Sequence, residues 1–196
     1  MTTKNITAEQ AQTIKEHLWQ TEHDTDETVI YAVLDGARDN RIHKMVRESG
    51  LRNSCLYDGE LNYELTVAAP YLVRLEKDDP FVIQLLQHSW GNSWGIFIIS
   101  DNQTTLLSVR RNCKKLAFVK TEKNKKLLFR YYDPRVLRTF LPTCKEDELK
   151  QIFGSLRCFL TEDQSGKALH CFSQKDSGFK QRKIKLLPES VESITV

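Results

Sequence analysis

The sequence predicts an α/β fold: short apolar runs alternate with amphipathic helical stripes, and Asp-Pro and capping-box signals mark where the helices begin. The reading is a mixed sheet flanked by helices in an N-terminal lobe, residues 1–120, followed by a smaller, more helical C-terminal lobe, residues 121–196. At 196 residues with 40% hydrophobic content, the chain can bury one good core or two small lobes without metals or cross-links.

Each element has its own signal. Thr7 followed by Gln10 is a capping-box pattern, and Ala11, Ile14 and Leu18 then recur at helical spacing, giving a helix to about Gln20. Residues 29–34 are an apolar, β-branched run closed by Asp35-Gly36, which reads as a buried strand delivering a turn. Residues 41–48 suit a helix stopped by Gly50, and residues 55–57 and 71–75 read as short strands, the second preceded by Pro70. Asp79 as N-cap with Pro80 in the first turn opens a helix carrying Phe81, Val82, Leu85 and Leu86. Residues 94–99 form a strand, and Leu106, Val109, Cys113 and Leu116 make one helical stripe.

Beyond a basic, hairpin-like stretch at 120–126, residues 127–132 read as a strand running into Asp133-Pro134, a second N-cap with first-turn proline. The helix it opens buries Val136, Leu137, Phe140 and Leu141, and Pro142 breaks it. Thr143 with Glu146 is a further capping box, opening a short helix with Leu149, Ile152 and Phe153. Residues 156–160 and 168–172 suit a terminal hairpin around Gly166, and the basic tail after them carries no clear pattern.

Composition excludes several classes of function. The 29 basic and 26 acidic residues are spread along the chain, so the net charge of +3 makes no field for nucleic acid, and the basic run at 175–185 is a solvated surface. Five separated cysteines without a C-x-x-C pair read as reduced, mostly buried thiols, and the five histidines show no metal-binding spacing, so neither metal nor cofactor is expected. The first residues lack the apolar core of a signal peptide and no long apolar run follows, which points to the cytoplasm and to no membrane partner.

Gly91-Asn92-Ser93-Trp94-Gly95 matches G-x-S-x-G, the pattern that sets a nucleophilic serine on a turn in α/β-hydrolases, and Asp133 and His170 follow in triad order. The elbow needs a strand before the serine and a helix after it, whereas here a helix precedes and a strand follows. A turn is the favoured reading, with a small serine hydrolase using Ser93 as the alternative. Asp35 and Asp58, each before a glycine, read as turn chemistry.

The segment FRYYDPRVLR, residues 129–138, concentrates arginine and tyrosine at one junction. These residue types dominate protein interfaces because they join large contact area to directional hydrogen bonds. As a strand, residues 129–132 would place Arg130 and Tyr132 on one face, with Phe129 and Tyr131 on the other. Arg135 and Arg138 are helical neighbours off the apolar stripe, so the junction reads as a docking surface.

That junction, together with YAVLDGAR at 31–38, CLYDG at 55–59, APYLV at 69–73, WGNSWGIF at 90–97 and LFRYYDPRVLRTFLP at 128–142, resembles a bacterial domain family first catalogued as of unknown function, domain of unknown function 4123. The resemblance runs from about residue 28 to residue 160. Characterised members are adaptors that load toxic effectors onto the spike of the type VI secretion system. The resemblance implies a cytoplasmic bacterial chaperone, not an enzyme, that cradles a segment of a cognate toxin in a cleft and helps present it to the spike-tip protein. Carried over by position, the cleft residues are foremost Arg130, Tyr132, Asp133, Arg135 and Arg138, then Asp35, Arg38, Tyr57, Asp58 and Trp94.

Overall fold

A computed structural model describes residues 5–20, 28–120, 124–175 and 178–186. Its strands are β1 (Thr28–Asp35), β2 (Asn53–Cys55), β3 (Pro70–Leu75), β4 (Gly95–Asp101), β5 (Phe118–Lys120), β6 (Lys126–Leu128), β7 (Leu156–Glu162), β8 (Ala168–Lys175) and β9 (Gly178–Lys185). The helices are α1 (Ala8–Gln20), α2 (Arg41–Glu48), α3 (Tyr63–Ala68), α4 (Pro80–Ser89), α5 (Leu106–Ala117), α6 (Pro134–Phe140) and α7 (Glu146–Phe153), with a 3-10 turn at Leu141–Thr143. Seven strands form one sheet in the order β2-β3-β1-β4-β7-β8-β9, and β5 and β6 pair separately.

The sheet is the middle layer of three. Side chains alternate across it, so Ile30, Ala32, Leu34, Val73, Phe97 and Ile99 join one core with α1, α2 and α4. Tyr31, Val33, Ile96, Ile98, Phe159 and Phe172 join another with α5, α6 and α7. Because both faces are covered, β1 and β4 are apolar runs rather than alternating sequences. No helix among the described residues is long and apolar enough to cross a membrane.

The α/β class holds, but every ladder is antiparallel rather than mixed. The cause is the position of β1. β3 and β4 run parallel to each other, joined by α4 as in a βαβ crossover, and β1 occupies the slot between them in the opposite direction. Residues 134–153 are helical as expected, whereas residues 156–185 return to the same sheet as β7, β8 and β9.

Other local expectations shift for identifiable reasons. The strand expected at 127–132 stops at Leu128, because the Tyr131 and Asp133 N–H groups donate backward to the carbonyls of Phe129 (2.9 Å) and Arg130 (3.0 Å). That turn aims Tyr131 and Tyr132 into the same core as an edge-on pair, both 1% exposed, where extended backbone would send them to opposite faces. The strand expected at 55–57 ends at Cys55. The capping box expected at Thr143 and Glu146 gives way to a one-sided cap, in which the Glu148 carboxylate accepts the Lys145 N–H at 2.7 Å, so α7 opens at Glu146. Helix α3, capped by the Asn62 side chain on Leu65 N–H, buries no residue and so has no apolar stripe to announce it.

Two glycines let backbones meet where β1 ends. A Cβ on Gly95 would overlap the Val33 carbonyl, and one on Gly36 would overlap the carbonyls of Val67 and Ala69. The end of β1 thus lies directly against the start of β4 and the segment entering β3.

Candidate functional site

At this end of the sheet, the last residue of β1, the turn before β4, the end of β7 and the start of α6 come together. Asp35, 1% exposed, closes β1, and its N–H donates to the Trp94 carbonyl at 2.8 Å. Its carboxylate accepts from Ala37 N–H at 3.2 Å and from the Arg130 guanidinium through both Nε and Nη2. Burial pushes the Asp35 carboxyl above its ordinary value, with Arg130 pulling the other way. Arg38 follows in the same turn and donates through Nε to the Asn92 carbonyl at 3.2 Å.

The α6 start adds a second acid and two arginines. Asp133 accepts from Arg135 N–H at 2.9 Å, the cap that Asp-Pro chemistry predicts, and the Arg135 guanidinium returns to the same carboxylate in a fork. Burial raises the Asp133 carboxyl, but its bonds to the Arg135 side chain and backbone outweigh this and hold it below the usual range. Arg138, one turn on, reaches the Glu162 carbonyl at 2.5 Å, and burial lowers its guanidinium from the ordinary value. Burial drives the Tyr132 and Tyr57 phenols upward.

Beside this charged edge lies an open recess of about 630 Å³, lined by Asp133, Arg135, Val136, Thr139, Phe140 and Thr143. The Arg135 side chain is 54% exposed at its rim. The arrangement offers an apolar floor with a guanidinium at the edge, which suits a segment pairing an apolar side chain with a carboxylate. Removing the cap with Asp133→Ala should lower stability by about 1–2 kcal/mol in urea unfolding and loosen the recess wall.

Two of the expected site residues lie elsewhere. Trp94 is 2% exposed in the core shared with α4, its ring stacked on His88 and faced by the Arg41 guanidinium at 5.0 Å. Asp58 is an exposed carboxylate paired with Arg110 and Lys114 of α5. Tyr57 joins the two regions, since its carbonyl also accepts from Arg110 at 3.2 Å.

Glu162 is the site member that sequence reasoning missed. It is 5% exposed at the end of β7, and its carboxylate accepts from Gly91 N–H, Ser93 N–H (2.9 Å) and the Ser93 hydroxyl (3.3 Å). Its one sequence signal is an acid directly after the apolar run Cys158-Phe159-Leu160 and Thr161. The same bonds define Ser93: helix α4 precedes it, β4 follows, its φ is +55°, and its hydroxyl meets a carboxylate rather than an imidazole. Asp133 is engaged by Arg135, and His170 is hydrogen-bonded to Gln181 at 3.2 Å, so the serine, acid and histidine of the hydrolase pattern each have other partners. Among the described residues, no three His, Cys, Asp or Glu side chains assemble to hold a metal ion.

No curated protein and no solved structure is matched by this chain. The family described as Domain of unknown function (DUF4123) matches over residues 30–151, a span that contains all the expected site residues and stops short of Glu162. That match covers more than half of the sequence and coincides with the motifs at 31–38, 55–59, 69–73, 90–97 and 128–142. The chain therefore belongs to the DUF4123 family.

Proposed function

We propose that this protein is a cytoplasmic, non-enzymatic adaptor that binds a segment of a cognate type VI secretion effector and helps load it onto the spike complex. The observation that carries the reading is the family match over residues 30–151, since that family is associated with effector adaptors of this system. The geometry adds a means. An effector segment lays an apolar side chain against Val136 and Phe140 while a neighbouring carboxylate takes the outer face of Arg135. Asp133 is an internal partner for Arg135 in the unloaded state, so release of the effector leaves no unpaired charge.

Co-expression of the tagged chain with the toxin encoded beside it, followed by affinity capture and size-exclusion with light scattering, tests the reading. A stoichiometric complex that keeps the toxin soluble supports it, and a chain that stays alone beside insoluble toxin opposes it. Arg135→Ala should weaken the complex about tenfold, or roughly 1.4 kcal/mol, as calorimetry would measure it. The estimate stays at that level because Arg135 is half-exposed and screened by water.

A further inference from the structure

From the thiols of β7 and β8, and independently of the adaptor reading, we infer that Cys158 and Cys171 form an oxidation site that closes reversibly into a disulfide. Their sulfur atoms lie 2.8 Å apart, closer than two thiols need to be for a hydrogen bond, on neighbouring antiparallel strands. Cys171 pairs directly with Leu160, and Cys158 with Ser173, so the two cysteines occupy diagonal positions on one face of the sheet. Both are almost fully buried, at 0% and 1% exposure, which protects them from bulky thiol reagents.

A second group points to chemistry at Cys171. Arg182 on the edge strand β9 is its direct cross-strand partner, and the guanidinium Nη2 lies 3.9 Å from the Cys171 sulfur. The side chain of Arg182 is exposed at the sheet edge, where a small oxidant arrives. The remaining cysteines, Cys55, Cys113 and Cys144, are also thiols, so the pair can be told apart from them by position.

The co-reactant is a hydroperoxide, with hydrogen peroxide the smallest member. The Cys171 thiolate attacks the peroxide oxygen, the O–O bond breaks, and hydroxide leaves as water after taking a proton, giving a sulfenic acid. The Cys158 thiol then attacks that sulfur, the S–O bond breaks, and a second water leaves as the S–S bond forms. Two thiols are oxidised, one peroxide is reduced, and the two thiol protons leave in the two water molecules. A diagonal pair needs the strands to shift before it bridges well, so the bond reopens readily with a dithiol reductant. It staples β7, which carries Glu162, to β8.

The test treats the folded wild-type protein with dilute hydrogen peroxide, blocks remaining thiols, and maps non-reduced peptides by mass spectrometry. The expected result is a linked peptide joining Cys158 to Cys171, a higher thermal midpoint, and recovery of both thiols with dithiothreitol. Cys158→Ala should abolish the link and leave a sulfenic acid at Cys171 that dimedone traps when it is present as the oxidised protein is denatured. Oxidation confined to Cys55 or Cys144 in the folded wild type, or a link that forms only after unfolding, overturns the inference without recourse to any variant.

Discussion

Arg130→Met lowers the unfolding free energy by about 2–4 kcal/mol at pH 7, near the range for breaking a buried ion pair and reduced because the arginine side of this one reaches water. The cost falls on Asp35. Arg130 is 41% exposed in its side chain, but the carboxylate it serves is 1% exposed and keeps only the Ala37 N–H once the guanidinium is gone. Desolvation already holds the Asp35 carboxyl above its ordinary value with Arg130 present, and removing the cation raises it further.

A folded-state value above the unfolded one, about 3.9, means that the native state binds its proton more tightly. The penalty is therefore full at pH above the folded value, and it fades as pH falls through that value toward the unfolded one. Urea titrations of wild type and variant at pH 8 and pH 5 should show the gap narrowing on the acid side. Asp35→Asn in the Arg130→Met background should restore most of the loss at pH 8, because a neutral side chain of the same shape needs no counter-ion. Equal losses at both pH values, with no recovery in the double variant, would remove the buried charge as the cause.

The pairing of Arg130 with Asp35 also marks the limit of what the sequence conveys. Signals that act within a few residues were legible: Asp79-Pro80 and Asp133-Pro134 both cap their helices as read, with the Phe81 and Arg135 N–H groups on the carboxylates at 2.8 and 2.9 Å. Apolar runs located β1, β3 and β4 because both faces of those strands are covered. Strand β9 was illegible for the complementary reason. It is the sheet edge, its residues 180–183 are exposed, and its pairing with β8 runs through backbone groups that every sequence possesses.

At the site, residue types were informative and partners were not. Arginine and tyrosine density marked the 129–138 segment, and the structure gathers Arg130, Tyr132, Asp133, Arg135 and Arg138 there with Asp35, Arg38 and Tyr57. Spacing does not say that Arg130 meets the Asp35 carboxylate 95 residues away, or that Arg138 meets the Glu162 carbonyl 24 residues away. Trp94 and Asp58 were drawn in by their motifs, yet one is core and the other is an exposed carboxylate paired with Arg110 and Lys114 of α5, because adjacency to a glycine turn does not fix the direction of a side chain.

Glu162→Leu should cost about 2–5 kcal/mol, since it strips the acceptor from the Gly91 and Ser93 N–H groups and leaves them to face an apolar side chain, each such loss being worth about 1–3 kcal/mol. Glu162→Gln is the control. Burial pushes the Glu162 carboxyl above its ordinary value despite the bonds from Gly91 and Ser93, so the amide sheds a buried charge and keeps one acceptor oxygen, but its NH2 meets the second N–H, and its cost is about 1–3 kcal/mol at neutral pH. By the sign that governs Asp35, the wild type sheds its buried-charge penalty as pH falls through the folded value toward the unfolded value of a glutamate, while the amide does not titrate, so this difference widens on the acid side. Ser93→Gly completes the comparison. It removes the hydroxyl but keeps the N–H that Glu162 holds, and glycine accepts the positive φ that serine occupies at a cost, so stability should change by less than about 1 kcal/mol. A large loss for leucine, a smaller one for glutamine and little change for glycine makes Ser93 a turn residue gripped through its backbone, with Glu162 as the brace that holds the β4 entrance beside Arg138 of α6.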